Sequence, residues 1–159
     1  MDPEILAFQE HQATAPRLSL AEEARTLVAG GAWGVLSTHS VKAVPGFPFG
    51  SVVEYVADEV GRPLLCFSTL SPHTGDVRAD PRVSLTVMAA GFRGLADARV
   101  AVSGRIAAVP AADVPAAREA YLARHPNSGW VRGGGAASGL GAPRAACSPL
   151  GTVGAPSRL

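Results

Sequence analysis

Near residue 30 the spacing of apolar residues changes from a helical to an alternating pattern. Before that point, the apolar side chains between Leu20 and Val28 fall on one helical face, after the capping box SLAE and before two glycines. Five strand-like runs follow, at 33–40, 49–57, 63–69, 82–90 and 98–109. Because they are closely spaced and lack long crossover helices, they predict a mainly β fold, with an antiparallel sheet that closes toward a barrel.

Two further short helices interrupt or follow these strands. One is predicted over 72–79, between the third and fourth strands, where Ser71 stands at the N-cap position and Pro72 at the first helical position. The other begins after Asp113, which is predicted to cap it, and ends before Pro126. Both helices are therefore expected to be short connections between or after the strands of the barrel.

Composition divides the chain into three parts. Residues 1–17 are polar and mixed and are predicted to form a flexible N-terminal arm, and residues 18–130 carry the periodic patterns of the predicted barrel domain. Residues 131–159 are rich in glycine, alanine and proline, have no aromatic residue and show no apolar period. Such a segment predicts a disordered tail and a barrel that is incomplete at its C-terminus.

Charge and length exclude several classes of protein. The chain has 159 residues, which is enough for one hydrophobic core. Its formal charge of +1 gives no electrostatic argument for binding nucleic acid or an acidic membrane surface. No secretory signal and no run long enough to span a bilayer are visible, so a soluble cytoplasmic or organellar location is expected. Cys66 and Cys147 are far apart, and Cys66 is predicted to be a buried free thiol.

The stretch STLSPHTGDVRADPRVSL, residues 68–85, holds the candidate chemistry. A helix start with free amides and nearby hydroxyls is a plausible site for a phosphate or carboxylate group. The alternative is that Ser71 only caps the helix and the rest is turn chemistry. The side chains that would contribute hydroxyls, a proton donor or positive charge are Ser68, Thr69, Ser71, His73, Thr74, Arg78 and Arg82. No set of metal ligands and no catalytic constellation is predicted.

Several motifs together resemble a known superfamily. In order, WGVLSTHS, GFPFGS, FSTLSPHTGDV, ADPRVSL and SGRI resemble the pyridoxamine-5′-phosphate-oxidase-like, FMN-binding split-barrel superfamily, and most closely its CREG-type and HugZ-type branches. The later ARHPNSGW resembles the motif that follows the second helix there. The resemblance covers about residues 20–130 and implies a split β-barrel that forms a homodimer with cofactor pockets at the interface.

The same resemblance carries functional expectations. In flavin-binding relatives the FMN phosphate is held around the loop that matches 68–78, which implies cofactor-binding roles for Ser68, His73 and Thr74. HugZ-type members bind and degrade haem, whereas several CREG-type members bind no flavin and act through partners. The expectation is therefore a weak or vestigial FMN or haem site, with a flavin- or haem-dependent oxidoreductase as the form an enzyme would take. A non-catalytic CREG-type binding protein is the alternative.

Two departures from the superfamily pattern matter. Gly75 stands where HugZ-type relatives usually have a basic residue after HT, so a strong phosphate contact is missing. Relatives also continue after the HP…W motif into further strands, where this chain passes into the glycine-rich tail.

Overall fold

Six antiparallel strands form a closed barrel in the order β1-β2-β3-β6-β5-β4. A computed structural model describes residues 2–68, 70–128, 131 and, as backbone, 147–154. The strands are β1 (Trp33–His39), β2 (Pro48–Ala57), β3 (Pro63–Ser68), β4 (Arg82–Met88), β5 (Arg99–Ala108) and β6 (Cys147–Gly154). The helices are α1 (Pro3–Thr14), α2 (Leu20–Gly30), α3 (Pro72–Ala79) and α4 (Val114–Arg124). The prediction of a mainly β barrel with short helices is confirmed.

Local signals placed the first barrel helix correctly. Both bonds of the capping box are present at the start of α2: the Glu22 amide donates to Ser19 Oγ, and the Ser19 amide donates to the Glu22 carboxylate. The Ser19 hydroxyl also donates to the Glu22 carboxylate, and this bond, together with the one from the Ser19 amide, lowers the pKa of the Glu22 carboxyl. The predicted cap of α4 differs, because Asp113 stands at the N-cap position but its side chain makes no capping bond.

The end of the chain differs from the prediction. The expected disordered tail is wrong over β6, whose backbone pairs antiparallel with both β3 and β5 and completes the ring. A strand needs main-chain partners rather than an apolar period, and the two barrel edges supply these. Val131 is also described and is buried, whereas Trp130 and the rest of 131–159 lie outside the described residues.

Cys66 is not the free thiol that was predicted. It is buried in β3 and is disulfide-bonded. The only other cysteine of the chain is Cys147, and the register places that residue opposite Ser68, two positions further along β3. The prediction was wrong because the sequence pattern did not reveal β6, and it is the pairing of β6 with β3 that brings Cys147 close to the strand that holds Cys66.

The N-terminal segment contains a helix that the sequence pattern did not predict. Asp2 caps α1 by accepting from the Glu4 amide, and Pro3 occupies the first turn. No residue of α1 is buried. The helix is therefore supported by local signals rather than by packing on the barrel.

The core lies inside the barrel and on one outer face of β3. Inward residues of the strands alternate with outward ones, as in β1 and β4, and fill the interior. The interior cluster comprises Val28, Leu36, Val53, Tyr55, Leu65, Phe67, Val77, Val83, Leu85 and Val87. Strand β3 is buried on both faces, because Leu64 and Cys66 pack on its outer side in a cluster with Tyr121 of α4 and Val131.

Tyr55 joins the end of α2 to the barrel interior. Its hydroxyl donates to the Val28 carbonyl at 2.7 Å, and burial raises the pKa of Tyr55 to about 12. Gly31, the C-cap of α2, passes directly over this side chain: a Cβ there would lie 2.1 Å from Tyr55 Oη and 3.1 Å from Val87 Cγ1. A Cβ on the neighbouring Gly30 would meet nothing within 4 Å.

Gly31→Ala is therefore expected to destabilise the protein by about 1–3 kcal/mol through overpacking of this contact. Gly30→Ala is the matched control, and no loss of stability is expected from it. Urea unfolding of the two variants beside the parent measures the difference. Equal stability of Gly31→Ala and Gly30→Ala would show that the close approach of α2 to Tyr55 is wrong.

Candidate functional site

The stretch predicted to hold the chemistry forms β3, a turn and α3. Ser71 has extended backbone angles and stands at the N-cap of α3, with Pro72 in the first turn, as predicted. The Ser71 side chain makes no capping bond. Instead, the Ser71 carbonyl accepts from the Thr74 amide at 3.0 Å. Because Pro72 has no amide hydrogen, the start of α3 offers fewer free amides to an anion than the sequence predicted.

Two of the predicted ligands, Ser68 and Thr74, form hydrogen bonds within this turn. The Thr74 hydroxyl donates to the Ser68 carbonyl, and the Thr74 side chain is 2% exposed. The Ser68 hydroxyl accepts from the Leu70 amide at 3.2 Å and keeps its own hydrogen for another acceptor. Ser68 thus retains donor capacity, whereas Thr74 holds the turn together. Thr69 lies outside the described residues.

His73 is half-buried between β2 and β3. Its Nδ1 lies 3.1 Å from Ser51 Oγ, and its ring meets Phe67 edge-on with centroids 5.6 Å apart. Burial lowers the pKa of His73 below its ordinary value of 6.5, opposed by the charge of Asp76. The ring is therefore held neutral and in a fixed orientation at neutral pH, with Nε2 as its second polar atom.

Asp76 is the buried polar residue of this region, and sequence reasoning missed it. Its side chain is 0% exposed, and its two oxygens accept from the Thr38 hydroxyl at 2.9 Å and from the Val41 amide at 2.8 Å. These bonds tie α3 to the end of β1 and to the loop that follows it. An aspartate in the middle of a short helix gives no sequence signal of burial.

The two predicted cationic side chains, Arg78 and Arg82, have different surroundings. Arg82 forms a side-chain pair with Asp80, with its shortest N–O distance at 2.6 Å, and this pair lowers the pKa of the Asp80 carboxyl. Arg82 is thus already matched by an acid. Arg78 is exposed on the last turn of α3. Near the middle of α3, a Cβ on Gly75 would lie 4.0 Å from the Lys42 side chain, which sequence reasoning did not consider.

The ARHPNSGW motif fastens the end of α4 to β2. His125 is buried, and its Nε2 lies 2.8 Å from the Tyr55 carbonyl. Ser128 donates to Glu54 Oε2 at 2.5 Å, and the Tyr121 hydroxyl lies 3.4 Å from the same oxygen. Burial raises the pKa of Tyr121, as does the neighbouring Glu54. These contacts give the motif a structural role.

The described residues contain no group of three or more histidine, cysteine, aspartate or glutamate side chains that could hold a metal ion. In the same part of the chain, no helix has both the length and the apolar character needed to cross a bilayer.

Comparison with known proteins identifies the family. The model of the CREG β-barrel family matches residues 15–137, which is most of the chain and includes α2, α3, α4 and strands β1–β5. The chain belongs to the CREG β-barrel family. The resemblance noted from the sequence motifs is thereby confirmed.

Several known proteins are similar to this CREG β-barrel. The chain is 40% identical over 124 residues to the chloroplastic heme oxygenase HOZ of Arabidopsis thaliana, covering 78% of this chain and 38% of HOZ. A solved heme binding protein from Mycobacterium smegmatis is 36% identical, with a TM-score of 0.61 over 69% of this chain and 45% of that one. A FAD-binding protein from Mesorhizobium loti is 22% identical and shares the fold, with a TM-score of 0.55 over 76% and 83% of the two chains. The chain spans less than half of the first two proteins.

The environment of His73 predicts a specific dependence of stability on pH. Because its folded pKa lies below the unfolded value, the unfolded chain takes up a proton first as the pH falls. The stability that the neutral ring contributes is complete above about pH 6.5 and is lost as the pH falls through the folded pKa. Urea unfolding at about pH 8 and about pH 5 should therefore show a smaller loss for His73→Gln than for the parent.

His11→Gln is the control for this measurement, since His11 is an exposed residue of α1. It should lose as much stability as the parent between the two pH values. An equal loss in the His73 and His11 variants would contradict the buried, neutral state of His73.

Proposed function

We propose that this CREG β-barrel binds haem beside the start of α3, with FMN as the second candidate. The observation that carries the proposal is the state of His73, which is neutral and oriented through Nδ1 by Ser51. Ser51 Oγ can accept a hydrogen bond from Nδ1–H, and histidines that bind a metal commonly donate their other ring nitrogen to such an acceptor, which leaves Nε2 for the metal. Haem is preferred because the relatives from Arabidopsis thaliana and Mycobacterium smegmatis, at 40% and 36% identity, carry heme in their names.

The residues near α3 fit such a prosthetic group in part. His73 supplies Nε2, and Ser68 supplies a hydroxyl hydrogen that its contact with Leu70 does not use. Thr74 supports the site by fixing the Ser68 turn rather than by contacting the ligand. The anionic arm of the group would be a propionate for haem or a phosphate for FMN. Either group, when bound, would supply redox chemistry, and the protein would then act as an oxidoreductase.

We further propose that the protein forms a homodimer. Because β6 closes the ring, the described barrel leaves no strand edge open for a partner, so an apolar outer face would have to support the dimer. Val52 lies on the outer face of β2 and is 71% exposed, and it pairs with Val35 of β1. Trp33, at the start of β1, is 55% exposed. An exposed apolar patch on a regular sheet is typical of an interaction surface.

The soluble location, cytoplasmic or organellar, stays a prediction. So does the alternative role as a non-catalytic CREG-type binding protein, which would need no prosthetic group.

The binding proposal is tested by titrating the purified chain with haem and with FMN, followed by the Soret band and by flavin fluorescence. Saturable binding of haem is expected. His73→Ala should weaken haem binding by about tenfold or more, and Ser51→Ala should weaken it less, because it disturbs only the orientation of the ring. Light scattering of the same sample should give the mass of a dimer.

His11→Ala is the matched control, and its haem affinity should equal that of the parent. If the parent binds neither haem nor FMN, the proposal fails and the non-catalytic alternative takes its place. If the parent binds haem and His73→Ala binds it equally well, the ligand lies elsewhere on the protein.

A further inference from the structure

The position of Lys42 relative to Gly75 suggests how this site obtains its positive charge. Lys42 is the only lysine of the chain and lies in the loop between β1 and β2. A Cβ built on Gly75 would meet Lys42 Cδ at 4.0 Å, an ordinary van der Waals distance. The stem of the lysine therefore borders the space into which a side chain at position 75 would extend. Its ammonium group lies only two bonds beyond Cδ.

The loop that carries Lys42 is held against α3 by its neighbours. The Val41 amide donates to the carboxylate of Asp76, the residue that follows Gly75. On the same loop, the Ser40 hydroxyl accepts from the Val44 amide at 3.0 Å, and the Ser40 amide donates to the Phe47 carbonyl at 3.0 Å. The backbone on the N-terminal side of Lys42 is thus fixed, and its proximity to Gly75 follows from these bonds.

The charges around Lys42 leave its ammonium group available. The Asp76 carboxylate is buried and already accepts two hydrogen bonds. Across the described ranges, no carboxylate lies within the 4.0 Å ion-pair distance of Lys42, whereas Arg82 is paired with Asp80. Lys42 itself is exposed. An exposed ammonium without an acidic partner beside a short helix can bind an anion.

We propose that Lys42 is the cationic ligand of the anionic arm of the prosthetic group, in place of a basic side chain on α3. The inference rests on the proposed function. The anion is a propionate if the group is haem and a phosphate if it is FMN. Lys42 would then supply from the loop the positive charge that Gly75 does not supply from the helix.

The experiment removes the positive charge of Lys42 and then places a positive charge at position 75 of α3. Lys42→Met keeps the length of the side-chain stem and removes the charge, and Lys42→Met combined with Gly75→Arg returns a cation to the helix. Affinities are measured for two pairs of probes that differ only in the anion: FMN against riboflavin, and haem against its dimethyl ester. Arg93→Met removes an exposed positive charge from the β4–β5 loop and is the control. Thermal unfolding confirms that each variant is folded.

Lys42→Met is expected to weaken FMN or haem binding by about 10- to 100-fold, the range for a charge-assisted hydrogen bond. Its affinity for riboflavin or the dimethyl ester should not change. The double variant should regain most of the lost affinity, and Arg93→Met should behave as the parent does.

Two failures are distinguishable. If the parent binds neither FMN nor haem, the proposed function fails, and the role of Lys42 fails with it. If the parent binds one of them and Lys42→Met binds it equally well, or loses affinity equally for the anionic and the neutral probe, only the role of Lys42 is overturned.

Discussion

The buried carboxylate of Asp76 is the interaction on which the candidate site depends. It accepts from the Thr38 hydroxyl of β1 and from the Val41 amide of the next loop, and it is fully shielded from water. A buried carboxylate is costly unless its oxygens are hydrogen-bonded, so these two bonds hold α3 and the loop in one arrangement. Because that loop carries Lys42 and α3 carries His73, a single buried residue sets the relative position of the groups proposed to meet the ligand.

Much of the barrel was predictable from the sequence because its signals are local. The alternation of apolar residues in β1 and β4 predicted those strands at the correct places, and the capping box at Ser19 did the same for the start of α2. Strand β6 was not predictable in this way. Its glycine-rich sequence has no apolar period, and its partners are the distant edges of β3 and β5. The disulfide of Cys66 was missed for the same reason.

The site was predictable only at the level of its segment. The sequence correctly indicated that Pro72 begins a short helix that contains His73. It gave no sign that Thr74 would turn inward or that Ser51 would orient the histidine ring, because both facts depend on contacts between distant strands. Gly75 was interpreted as a missing charge, whereas the lysine that borders it comes from a loop more than thirty residues earlier in the chain.

Hydrogen exchange at the Val41 amide tests the central role of Asp76 most directly. In Asp76→Ala this amide loses its acceptor, and its exchange should become faster by about tenfold or more, the equivalent of one hydrogen bond to a charged group. Asp113→Ala is the control, since Asp113 is exposed and makes no capping bond. In this variant the Val41 amide should exchange as fast as it does in the parent. Unchanged exchange of the Val41 amide in Asp76→Ala would contradict the account, because the loop would then be held against α3 by something other than this carboxylate.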